Sequence, residues 1–143
     1  MACLSELVFN NVAAKVLVPG SHGSTFGGNF LSTSVGLAVL DIMRKKNLCK
    51  NARDIGLYLE SELNKKLLHF KIVKEIRCKG LMIGIELKIN CIHLVQDALK
   101  KKLVINVTKE NTVRMLPPLI INRSQADVIV TTLQKIIGKI KYE

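Results

Sequence analysis

Residues 21–29, reading SHGSTFGGN, gather the chain's best candidates for contact with a ligand. Three glycines (Gly23, Gly27, Gly28) sit among the hydroxyls of Ser24 and Thr25, just ahead of an apolar-periodic stretch. Glycines let a backbone approach a ligand closely, and hydroxyls with the free N–H groups of a helix start offer donors to an anion such as phosphate. The same composition also makes a generic turn, because glycine-rich loops precede many helices that hold nothing. More specific chemistries fail on spacing. Gly23 and Gly28 have the separation of a P-loop, but Asn29 and Phe30 stand where Lys and Ser/Thr are required. Ser24 follows Gly23 directly, so the segment is no nucleophile elbow, and no carboxylate is placed to complete a triad with His22.

The other charge of interest is Arg114, in the apolar run Thr112-Val113-Arg114-Met115-Leu116. An arginine there either snorkels to water or forks onto a carboxylate, and the local sequence favours snorkelling. Cys3, Cys49, Cys78 and Cys91 form no CxxC pair, and His93 beside Cys91 is too little for a metal site, so reduced thiols in a cytoplasmic protein are expected. The formal charge of +11 over 143 residues invites a nucleic-acid or membrane reading. The lysines, however, are spread over helix faces and ends, with no arginine tract, zinc finger or aromatic RNA-binding pattern. No specific nucleic-acid partner is expected. No signal peptide is expected from the opening residues, and the apolar run 30–40 stops at Asp41, short of the roughly 20 residues needed to cross a bilayer.

The elements that must position these residues follow from periodicity. A short strand at 2–4 and a helix at 6–15 are expected to precede the loop. Asn29 reads as an N-cap for a helix carrying Leu31, Val35, Ala38, Val39 and Ile42, and Asn47 as its break. A second helix places Ile55, Leu59, Leu63 and Leu67 on one stripe, with Gly56 an awkward interruption. Residues 71–79 and 81–87 read as a hairpin turning at Lys79-Gly80, in which Leu81, Ile83, Ile85 and Leu87 alternate with Met82, Gly84 and Glu86. A short helix over 91–102, strands at 103–107 and 112–116 around Lys109-Glu110-Asn111, and a last helix with Ile129, Leu133, Ile136 and Ile140 complete the chain. The sum is α+β: an antiparallel sheet of three to four strands with helices on one side. Residues 1–46 have no sheet of their own and are expected to leave apolar surface exposed.

Here the motifs become specific. The segments VLVPGSHGSTFGGNFLSTSVGLAVLDIM (16–43), KEIRCKGLMIGIEL (74–87) and LVINVTKENTVRMLPPLII (103–121) occur in the order found in the C-terminal third of acetylornithine-type aminotransferases. The chain resembles these class III, fold-type I enzymes over essentially its whole length. The resemblance implies pyridoxal 5'-phosphate as cofactor, an ω-amino acid such as N-acetylornithine and 2-oxoglutarate as substrates, and a homodimer. It implies that Thr25 contacts the cofactor phosphate of the neighbouring subunit, and that Ser24 and Arg114 bind substrate, Arg114 through the α-carboxylate. It divides the chain into a remnant of the large cofactor domain (1–28), an interdomain helix (29–46) and a small C-terminal domain (47–143).

The same resemblance places the family's Schiff-base lysine upstream of SHGST; Lys15, expected on a helix, does not match it, so no catalytic residue is expected here. A fragment inactive on its own is the expectation, with a non-catalytic module that pairs with a separate N-terminal half, or with an intact homologue, as the alternative. Three positions depart from the family pattern: Phe30 replaces a helix-starting proline, and Cys78 and Lys102 replace glycines. A replaced glycine costs on the order of 1 kcal/mol or more if its φ is positive.

Overall fold

Two hydrophobic periods, one helical and one of strands, organise the chain beyond the glycine-rich loop. The computed structural model describes residues 15, 16, 18, 20, 21 and 23–140, and the chain divides into two units, 1–46 and 47–143. The strand expected at 2–4 and the helix expected at 6–15 lie outside the described residues, apart from Lys15, which sits in a turn and not on a helix.

The first unit ends in α1 (Phe30–Lys45). Asn29 caps it: its Oδ1 accepts the Ser32 N–H at 2.9 Å, and its amide donates back to the Phe26 carbonyl at 2.7 Å. Arg44 and Lys45 close the last turn, where cations suit the helix dipole. The expected apolar positions form the helix but bury little, for Leu31, Val35, Leu37, Val39, Leu40 and Ile42 are all exposed and Gly36 is its buried residue.

The second unit opens with α2 (Leu48–Leu67), preceded by Asn47 in the left-handed conformation at φ 50°. Asparagine tolerates that geometry better than most residues. Ile55, Leu59, Leu63 and Leu67 are all buried, as the stripe required. Gly56 has a packing reason: a Cβ there would stand 2.4 Å from the carbonyl oxygen of Gly80, in the hairpin turn that α2 crosses. That turn joins β1 (Val73–Lys79) to β2 (Met82–Leu87), and Gly80 itself has φ 55°.

After β2 come α3 (Leu94–Lys100), β3 (Asn106–Thr108), β4 (Thr112–Met115) and α4 (Arg123–Ile137). The sheet order is β1-β2-β4-β3, antiparallel at every pairing. Ile83, Ile85, Leu87 and Val113 are fully buried and share one cluster with Leu59, Leu63 and Leu67 of α2, Leu94 of α3, and Leu133 and Ile137 of α4. Helices α2, α3 and α4 therefore cover one face of the sheet. The other is open, with Arg77, Met82 and Arg114 turned to it.

Several boundaries differ from periodicity. The strand expected at 103–107 begins only at Asn106, because Leu103 is used to close α3: its N–H donates to the Ala98 carbonyl at 3.0 Å, while Lys102 N–H donates to Leu99 at 2.9 Å. This paired C-terminal closure puts Lys102 at φ 60°, a position that favours glycine. Cys78 has no such φ, lying in regular β1, so of the two replaced glycines only Lys102 carries strain. Lys102→Gly should raise stability by about 1 kcal/mol, read as a higher urea midpoint at unchanged m. At the far end, α4 starts on a reciprocal capping box between Asn122 and Gln125. It stops at Gly138, where a Cβ would press the Phe70 ring at 3.0 Å, so Ile140 lies beyond the helix and is half-buried.

Candidate functional site

Loop residues 20–29 of the first unit turn twice before α1. Gly20 (φ 90°) and Gly28 (φ 71°) take left-handed values that a side chain would resist. Between them, Gly27 N–H donates to the Ser24 carbonyl at 3.2 Å, so Thr25 and Phe26 form the tip of a tight turn. Ser24 and Thr25 are neighbours and exposed, and among the described residues their hydroxyls make no hydrogen bond. His22, between Ser21 and Gly23, lies outside the described residues. The loop thus offers an anion two free hydroxyls on a glycine-bounded turn. Those donors fit a phosphate oxygen.

Arg114 belongs to the second unit, where alternation along β4 decides its direction. Val113 and Met115 point into the core, so Arg114 stands on the open face, paired across the sheet with Gly84 on one side and Asn106 on the other. Among the described residues it makes no ion pair and is exposed, in keeping with the snorkelling that the local sequence favours. Ser24 and Thr25 are brought together by one turn; Arg114 sits in the other unit, on a different element.

Beside Arg114 lies a network that periodicity did not reveal. Glu86 accepts from Lys74 Nζ at 2.6 Å and from Arg77 at 2.7 Å, and Arg77 also pairs with Glu75. Hydrogen bonds from Lys74 and then Arg77 hold the Glu86 carboxyl down from its ordinary 4.5 to about 2. The pairing of β1 and β2 was the signal that could have found it, since the expected hairpin puts Glu75 opposite Glu86 and Arg77 close by on the same strand. Because the folded Glu86 titrates below its unfolded value, its contribution is complete above the unfolded pKa and is lost as pH falls toward 2. Wild type should lose urea resistance more steeply between about pH 5 and pH 2 than Glu86→Gln, compared over one pH series.

The thiols play no evident part. Burial pushes Cys78 up to about 11 and raises Cys91, so both stay protonated near neutrality. Among the described residues no group of His, Cys, Asp and Glu is arranged for a metal, and no helix is long and apolar enough to cross a membrane.

Residues 2–137 match the family model described as Aminotransferase class-III. Acetylornithine aminotransferase of Nitrosomonas europaea is 41% identical over 136 residues, which is 95% of this chain and 34% of that protein. Among solved structures, acetylornithine aminotransferase from Elizabethkingia anophelis aligns with a TM-score of 0.79 at 30% identity, covering 88% of this chain and 34% of that one. Plasmodium falciparum ornithine delta-aminotransferase aligns with a TM-score of 0.82 at 32% identity, covering 90% and 34%. The chain spans about a third of the length of the relatives it matches.

Proposed function

The chain belongs to the class-III aminotransferases, and from that premise we propose that it supplies the substrate-carboxylate and phosphate-contacting portion of an acetylornithine-type aminotransferase. The reaction served is amino transfer between an ω-amino acid such as N-acetylornithine and 2-oxoglutarate. The single observation that carries this reading is Arg114: a guanidinium with no ion pair among the described residues, held mid-strand on an open face between two side chains locked in the core. A planar fork fixes a carboxylate in two bonds, which a lysine cannot do.

Family membership makes pyridoxal phosphate the cofactor, and the loop residues fit its phosphate end. That cofactor, when bound, supplies the electron sink through which an amino group changes carriers. Within this chain Thr25 would donate its hydroxyl to the phosphate held by a neighbouring subunit, Ser24 would touch the amino-acid substrate, and Arg114 would hold the substrate carboxylate and so orient the reacting carbon. None of these three moves the proton, and no residue here is assigned that role.

The exposed apolar face of α1 supports a setting in which a larger body covers it. It supports equally a second reading, a non-catalytic module docked on an intact homologue. The free thiols Cys49, Cys78 and Cys91 suit a reducing cytoplasm. Complementation tests both. Expressed alone, these 143 residues should show no transamination. Co-expressed with the two thirds of the Nitrosomonas relative that they do not match, they should yield 2-oxoglutarate-dependent activity in a co-purifying complex. A complex that forms, binds cofactor and stays inactive would favour the docking module.

A further inference from the structure

Gly84 is out of place by every local criterion. It lies in β2, an interior strand with β1 on one side and β4 on the other. Its φ is not among the positive values, so the backbone does not demand glycine. A Cβ there would meet nothing nearer than Thr112 Cγ2 at 3.8 Å, an ordinary contact, so packing does not demand it either. Glycine weakens a strand, and one without a bulge or close neighbour marks a place where something else approaches the sheet.

The cross-strand register shows what surrounds the gap. Ile83 and Ile85 point into the core, so position 84 faces the open side, directly between Arg77 of β1 and Arg114 of β4. Position 84 lies in the floor of a shallow depression of about 320 Å³ whose lining includes Arg77, Lys79, Met82, Thr108, Thr112 and Arg114. Its walls carry positive charge and no acid of their own. Arg77 is engaged by Glu75 and Glu86, which leaves Arg114 as the free fork beside the gap.

We infer that Gly84 is a specificity-determining position: the carboxylate bound by Arg114 lies over the bare strand at Gly84, and the absent side chain admits it. This rests on the assignment of Arg114 to the substrate carboxylate. Neighbouring strands are only about 4.8 Å apart, so a branched side chain at 84 would stand in the space a ligand on Arg114 must use. The inference separates from a structural role by sign. Valine is a better strand former than glycine, so Gly84→Val should fold as well as wild type or better while binding worse.

The test is a titration of the isotope-labelled full chain with 2-oxoglutarate, followed at the Arg114 and Gly84 amides by NMR, with thermal melts alongside. Inorganic phosphate at matched ionic strength is the control for generic anion binding. The expected result is a saturable shift in wild type, about tenfold weaker binding in Gly84→Val and a smaller loss in Gly84→Ala, with no fall in Tm. Should Gly84→Val misfold, the Gly84→Ala comparison decides. Wild-type saturation with undiminished affinity in the folded variants would overturn the role of Gly84 and leave Arg114 in place. No saturable shift in wild type, or an equal response to phosphate, would overturn the carboxylate assignment and this inference with it.

Discussion

Arg114→Ala should weaken 2-oxoglutarate binding by about a hundredfold, seen as a raised KM in the complemented enzyme, while the melting temperature barely moves. The size comes from removing a charged, two-pronged donor from a depression with no other free cation of that geometry. The unchanged stability comes from position. Arg114 makes no ion pair among the described residues and stands on the open face, so the fold draws nothing from its charge. Arg114→Lys separates charge from shape: it should recover only a small part of the loss, because an ammonium is a point charge and not a fork. A lysine variant with wild-type KM would show that the arginine acts by field alone. An alanine variant with unchanged KM would remove Arg114 from the site.

Gly56→Ala is the second large effect, and it acts on stability. Alanine is the best helix former and should gain up to about 1 kcal/mol over glycine inside α2. Here the gain is overrun, since the new Cβ would stand 2.4 Å from a backbone oxygen and 2.6 Å from the carbonyl carbon of Gly80. A flexible side chain could yield, but a hairpin turn joined to both β1 and β2 cannot move without disturbing their register. A net loss of about 2 kcal/mol is expected, with a Tm fall of about 10 °C. Gly80→Ala should be milder, because a Cβ there meets only the Ala52 carbonyl oxygen at 3.7 Å, although φ 55° still disfavours it. If Gly56→Ala proves neutral, α2 and the hairpin are not in the close contact described.

The two substitutions illustrate how differently sites became legible. Ser24 and Thr25 were candidates by composition, which a generic turn shares, and only the family motif gave them roles; the turn at 24–27 leaves both hydroxyls without a hydrogen bond among the described residues. Arg114 stood out because a charge inside an apolar run needs a reason. Gly84 did not stand out at all: within strand alternation it was one more small outward position. Only its neighbours across the sheet give it meaning, and those come from β1 and β4. Glu86 was hidden for the same cause, its partners Lys74 and Arg77 lying on the adjoining strand.

Local physics was sufficient wherever the determining interaction is short in sequence. The buried stripe of α2, the Asn29 cap, the β1–β2 hairpin and the turn at 109–111 each depend on residues a few positions apart. The family motifs were equally readable, since they are runs of adjacent residues. What the tertiary structure alone decided are relations between distant segments. These include the strand order β1-β2-β4-β3, which brings Gly84 beside Arg114, and the approach of α2 to Gly80 that makes Gly56 necessary. They include also the use of Leu103 to close α3, which delays β3 and strains Lys102. Periodicity reports which face of an element is apolar, but it carries no information about which other element that face will meet.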